Sequence, residues 1–173
     1  MNNVILIGMP GVGKSTAGVV LAKLLGYEFV DADLLIQKQE GRLLHEIIAQ
    51  EGRAGFLAIE NQVNAGINTQ KAVIATGGSV VYGAEAMEHL KSMGTVVYLK
   101  ISYETLERRL HNMKGRGVVL KIGQTLRDLY EERTPLYEKY ADLIVNQEQR
   151  DVEETIRQIV AALEQNSPKC IEY

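Results

Sequence analysis

The apolar positions of this 173-residue chain alternate between short unbroken runs and longer stretches of helical period. Val4-Ile5-Leu6-Ile7 is continuous and ends at Gly8, which predicts a strand buried on both faces. Residues 72–75, 95–99 and 143–145 read the same way, and 27–30 reads as a further strand. Between these runs the spacing predicts helices over 14–25 with Gly26 as the stop, then 34–39, 43–50, 53–68, 85–92, 104–110, 125–140 and 152–163. Residues 112–123 carry basic side chains and three glycines without helical period, so a mobile loop is expected there. The tail over 166–173 is expected to fray.

Strands that alternate with helices predict an α/β fold, a parallel sheet covered on both faces. Ligands of such a sheet lie beyond the carboxyl ends of its strands. Three chemically suitable loops fall at that end: residues 8–15, the pair Asp31 and Asp33, and Thr76-Gly77-Gly78-Ser79. In extended backbone the two aspartates, two residues apart, are expected to point to the same side.

Composition narrows the field. The length and an apolar share of 46% suit one full core, so residues 1–173 are expected to form a single domain. A formal charge of −3 argues against a nucleic-acid groove. Cys170 is the only cysteine, which excludes an internal disulfide or a cysteine zinc site and suits a reducing cytoplasm. No apolar run reaches the length of a membrane span and no leader pattern is seen, so neither a membrane partner nor export is expected.

The chemistry centres on Gly8-Met9-Pro10-Gly11-Val12-Gly13-Lys14-Ser15, which fits G-x-x-x-x-G-K-[ST] between a predicted strand and a predicted helix. Gly11, Val12, Gly13, Lys14, Ser15 and Thr16 would turn backbone N–H groups and a helix N-terminus toward the phosphates of ATP. Lys14 would reach the β- and γ-phosphates, and the Ser15 hydroxyl would ligate Mg²⁺. Neither D-x-x-G nor N-K-x-D occurs, which argues against a switch GTPase, and the absence of L-S-G-G-Q argues against an ABC-type ATPase. A compact kinase acting on a small acceptor remains.

From Val4 to Leu163 the chain resembles the shikimate kinases. The resemblance is carried by the phosphate loop, Asp31-Ala32-Asp33, Gly52 with Phe56 and Glu60, and Gly77-Gly78. It continues through Arg108-Arg109, Arg116, Arg133-Thr134-Pro135-Leu136-Tyr137-Glu138 and Ala141-Asp142. It implies the three-layer phosphate-loop NTPase fold with a five-stranded parallel sheet of order 2-3-1-4-5, acceptor-binding helices over 34–68, a lid over 112–123 and a monomer. It also implies that Asp33 holds the acceptor hydroxyl and Asp31 holds Mg²⁺ through water. Arg116 would close on the transferring phosphoryl group, Arg109 would stack on adenine, Arg133 would pair with the acceptor carboxylate and Gly78 would line its pocket. With Lys14, Asp33 and Arg116 form the expected catalytic set.

Plainer readings stand beside these. Asp31 and Asp33 also suit helix caps, Arg133 follows Glu131 and Glu132 in a pattern of solvated ion pairs, and Arg116 could be a surface charge. The departures from the family pattern cluster on the acceptor side. Leu57 stands where the family has the arginine of F-R-x-x-E, Arg53 where it has the acid of G-E, Ser79 where it has a third glycine, and Gly117-Val118-Val119 where its lid has P-L-L. Arg53 precedes Leu57 by four residues on one helical face and is expected to supply part of the missing cation. The sequence therefore leaves open shikimate, another hydroxylated metabolite with the same chemistry, or a non-catalytic nucleotide-binding regulator.

Overall fold

The computed structural model describes residues 3–111, 121–148 and 151–166. Five strands, β1 (Asn3–Ile7), β2 (Glu28–Asp31), β3 (Ala72–Ala75), β4 (Gly94–Lys100) and β5 (Leu143–Asn146), form one sheet in the order β2-β3-β1-β4-β5. Every neighbouring pair is parallel, with Ile5 level with Ile74 on one side and Val96 on the other. The order is the one expected, and all five residues of β1 are buried, as its unbroken apolar run predicts.

The described residues also form seven α-helices: α1 (Lys14–Leu25), α2 (Ala32–Glu40), α3 (Leu44–Ala65), α4 (Ala84–Met93), α5 (Tyr103–His111), α6 (Leu126–Tyr140) and α7 (Val152–Asn166). The crossover leaving β1 leads to the far side of β3, and the crossover leaving β3 leads to the far side of β1. These two connections diverge at the point where a doubly wound sheet opens a crevice for ligands.

Two expectations are corrected here. Asp31 and Asp33 do not share one extended strand end, because the Asp31 carboxylate accepts from the N–H groups of Asp33 and Leu34 and starts α2 at Ala32. A side chain that caps its own following turn ends the strand at Asp31 and puts Asp33 in the first turn of the helix. The helices expected over 43–50 and 53–68 meet without a loop: α3 runs through, broken only at Gly52, where φ of 69° and ψ of −176° are open to glycine and strained for other residues. α3 ends at Ala65, three residues short of the expectation. α1 and β3 match their expected bounds, and the other boundaries differ by at most three residues. Most of the expected lid, with Arg116, and the end of the tail, with Cys170, lie outside the described residues.

At the end of the sheet away from the crevice lies Asn3, which is 2% exposed. Its amide donates to the carbonyls of Thr69 and Met93 and accepts from the Ala72 N–H. This side chain therefore ties β1 to the starts of β3 and β4. Asn3→Ala, which leaves these groups unpartnered, is expected to cost about 2–3 kcal/mol in urea unfolding. The affinity for ATP, at the opposite end, is expected to stay within twofold of the original by calorimetry.

Candidate active site

The loop between β1 and α1 sits at the crevice. Gly13 takes φ of 97° immediately before the helix, and no side chain caps the N-terminus of α1. That end is left for an anion, since helix N–H groups and the helix dipole point at it together. Lys14 is 7% exposed and folds back over the loop, its Nζ donating to the carbonyls of Gly8 at 2.7 Å and Met9 at 2.9 Å. The ammonium is thus already held at the loop rather than in solvent. On the other flank, Arg109 of α5 donates to the Val12 carbonyl at 3.3 Å.

Asp31 links the loop to the next strand. One of its oxygens caps α2, and the other accepts from the Ser15 hydroxyl at 3.1 Å. The capping reading and the metal reading therefore use different oxygens of one carboxylate. Ser15 Oγ and Asp31 Oδ2 together make a pair of hard oxygen donors beside the anion cradle, a donor set suited to Mg²⁺. Among the described residues no cluster of three or more His, Cys, Asp or Glu side chains could hold a metal by itself. A cation here would need phosphate and water to complete its shell.

A cavity of about 500 Å³ joins this cradle to the loop after β3. It brings together Gly11, Gly13, Lys14, Ser15, Asp31, Asp33, Gly78 and Arg133 of the expected site. Val12, Thr16, Arg109 and Arg53 stand outside its lining. Gly78 is fixed by close packing: a Cβ there would lie 2.8 Å from Pro10 Cδ and 3.0 Å from Arg133 Nη1. Tyr137 of α6, fully buried, donates to the Gly78 carbonyl and holds that backbone against the phosphate loop.

Arg133 does not lie on a solvated helix face. It is 2% exposed, its Nε has no hydrogen-bond partner among the described residues, and its guanidinium stands 5.4 Å from the ring centre of Tyr82. A buried cation of this kind favours an incoming carboxylate. Arg53 approaches the same ring, 5.1 Å from its centre. Tyr82 in turn donates to Glu132 at 2.5 Å. The expected substitute cation therefore reaches the tyrosine that Arg133 also contacts. His45 is exposed at the cavity mouth, and His89 bonds the Ile67 carbonyl.

Glu60 is the residue to which the sequence reading assigned no role. It lies on the buried stripe of α3 with Phe56, Val63 and Asn64 and lines the cavity at 2% exposure. Its Oε2 accepts from Ser79 Oγ at 2.5 Å, and its Oε1 has no partner among the described residues. Burial pushes its carboxyl up to about 7; the Ser79 hydrogen bond opposes the shift, Asp33 adds to it, and Arg133 and Lys14 oppose it. An acid four residues after Phe56 on an otherwise apolar face was the available signal.

Comparison with known proteins agrees with this architecture. Residues 10–164 match the family model described as shikimate kinase. The shikimate kinase of Methylococcus capsulatus is 36% identical over 170 residues, covering 96% of this chain and 95% of that protein. The shikimate kinase of Nostoc punctiforme is 40% identical over 157 residues, covering 89% and 86%. The structure of shikimate kinase from Acinetobacter baumannii in complex with shikimate superposes with a TM-score of 0.87 at 33% identity, covering 98% of this chain and 96% of that one. By its sequence, its sheet order and its phosphate loop, the chain belongs to the shikimate kinase family.

Proposed function

We propose that the chain transfers the γ-phosphoryl group of MgATP to a hydroxyl of shikimate. The observation that carries the reading is a cavity in which an anion cradle with its lysine faces a carboxylate and a buried arginine. Phosphoryl transfer asks a protein mainly for position and for charge aimed at the transferring group. Bound MgATP would supply that group, and its divalent cation would offset phosphate charge. Membership of the family and the likeness to a relative solved with shikimate support the choice of acceptor.

Each residue then has a part that its chemistry suits. The N–H groups from Gly11 to Thr16 hold phosphate oxygens, with Lys14 leaving the two carbonyls that now hold it to meet the β- and γ-phosphates. Ser15 and, through water, Asp31 would hold the cation. Asp33 accepts the hydrogen bond of the acceptor hydroxyl and aims its oxygen at the γ-phosphorus. Arg133 pairs with the acceptor carboxylate beside the backbone of Gly78, and Arg53 adds positive potential through the Tyr82 edge. Arg109 lies over the nucleotide side of the loop, where it would stack on adenine. Arg116 belongs to the lid that would exclude water on closure. The helices over 34–68 form the acceptor side of one domain, working as a monomer in the cytoplasm.

Magnesium-dependent release of ADP on addition of shikimate, compared with a panel of other hydroxylated metabolites, tests the reading directly. Turnover with another acceptor alone would overturn shikimate, and ATP binding without acceptor-dependent turnover would overturn the kinase. Asp33→Asn is expected to lower kcat about 10²- to 10⁴-fold while the dissociation constant for ATP stays within twofold. Arg53→Ala is expected to raise the KM for shikimate about tenfold, the loss of one charge-assisted contact, with kcat held within threefold. An unchanged KM would remove Arg53 from the acceptor site.

A further inference from the structure

Glu60 is a buried acid whose side chain lines the cavity and whose Oε1 has no partner among the described residues. A Cβ built on Gly77 would lie 2.5 Å from Glu60 Oε1 and 3.0 Å from Asp33 Oδ1, so the two carboxyl groups flank one glycine. Charged and titratable groups reach Glu60 from three other elements: Asp33 on α2, Lys14 at the start of α1 and Arg133 on α6. Ser79, between β3 and α4, donates the hydrogen bond that fixes its other oxygen. One turn before Glu60 on its own helix stands Leu57, which packs with Leu44, Ile48 and Ile59 around an apolar cluster and supplies no charge.

We propose that Glu60 decides whether this pocket admits an anionic acceptor: its neutral carboxyl form accepts a carboxylate-bearing alcohol, and its ionised form, beside Asp33, turns that acceptor away. Two adjacent carboxylates with a third arriving on the substrate leave more negative charge than Arg133 and Lys14 face at one time, since Lys14 is committed to phosphate once nucleotide is bound. A proton on Glu60 removes one of these charges and leaves Asp33 ionised to accept the hydroxyl. The protein's burial of Glu60 keeps such a proton within reach near neutral pH.

The proton balance gives the sign. Below the titration of Glu60 the carboxyl is already neutral, and acceptor binding moves no proton. Above it, each binding event takes one proton from solvent onto Glu60. The KM for shikimate is therefore expected to be flat below about pH 7 and to rise about tenfold per pH unit above it, while the KM for ATP follows no such course. Glu60→Gln, which mimics the neutral acid at the same size, is expected to flatten the profile. Ser79→Ala removes a hydrogen bond that favours the carboxylate, so its midpoint is expected to move to higher pH.

This inference rests on the proposed function in that the acceptor carries a carboxylate, and one measurement separates the two. The ¹³C resonance of the Glu60 side-chain carboxyl, assigned by its absence in Glu60→Gln, is read in the protein without acceptor. Titration near pH 7 supports the inference, whereas titration near the ordinary glutamate value overturns it whatever the enzyme phosphorylates. A shikimate KM that rises equally in Glu60→Gln, or that stays flat in the unaltered protein, also overturns it. Failure of shikimate to be phosphorylated at any pH between 6 and 9 overturns the acceptor reading instead, with the carboxyl resonance still judging Glu60 alone.

Discussion

A sheet buried on both faces can place polar chemistry only at the two ends of its strands, and five parallel strands send all their carboxyl ends to one of them. That constraint organises this chain. At the end away from the crevice, the Asn3 amide and the Asp142 carboxylate pair with backbone groups at the strand starts. The other end receives the phosphate loop from β1, Asp31 from β2 and the Gly77-Gly78 turn from β3. Because β1 and β3 send their crossovers in opposite directions, the helices part above them and leave a crevice rather than a packed surface. The site is a consequence of strand order before any side chain is considered.

What the side chains add is a set of buried charges that the fold alone does not balance. Lys14, Arg133 and Glu60 are each less than a tenth exposed, and they share one cavity with Asp33. Backbone carbonyls satisfy the lysine. Arg133 lies against the Tyr82 ring, and among the described residues neither its Nε nor the Oε1 of Glu60 has a hydrogen-bond partner. Such groups cost stability when a ligand is absent and gain partners when one binds. A pocket arranged in this way binds through groups already desolvated and already oriented, which is the condition under which electrostatic stabilisation of phosphoryl transfer is strongest.

The elements were legible because each strand is a short apolar run between glycines or helical stretches, and period alone separates the two. The strand order was not read from period; it came from the resemblance, and the registers agree with it. The site was legible where a single loop carries it, as in Gly11, Gly13, Lys14 and Ser15. It was less so where two residues decide the geometry. The side chain of Asp31 chooses between continuing a strand and starting a helix, and its capping bonds put Asp33 on α2 instead of the strand. The burial of Arg133 was hidden by two neighbouring glutamates, since its surroundings, Tyr82 and Gly78, lie about fifty residues away in sequence. Glu60 acquires its character from Ser79 and Gly77 across the cavity, contacts that no local pattern announces.

The uneven distribution of departures from the family pattern has a physical reason in the packing. Met9 and Val12 of the phosphate loop are buried in the main core with the residues of β1, β3 and β4, so a change there disturbs the sheet itself. Leu57 belongs to a second, smaller cluster formed by Ile36, Ile47, Phe56 and Val63 on the acceptor side. Substitutions in separate clusters with few shared partners act nearly independently, so the acceptor wall can change its charge while the nucleotide site keeps its shape. Replacing an arginine by leucine there adds apolar packing to the small cluster and leaves one cation fewer beside a cavity lined by three carboxyl groups, those of Asp31, Asp33 and Glu60. The charge balance must then be restored from elsewhere, either by a cation brought to the Tyr82 edge or by a proton held on Glu60.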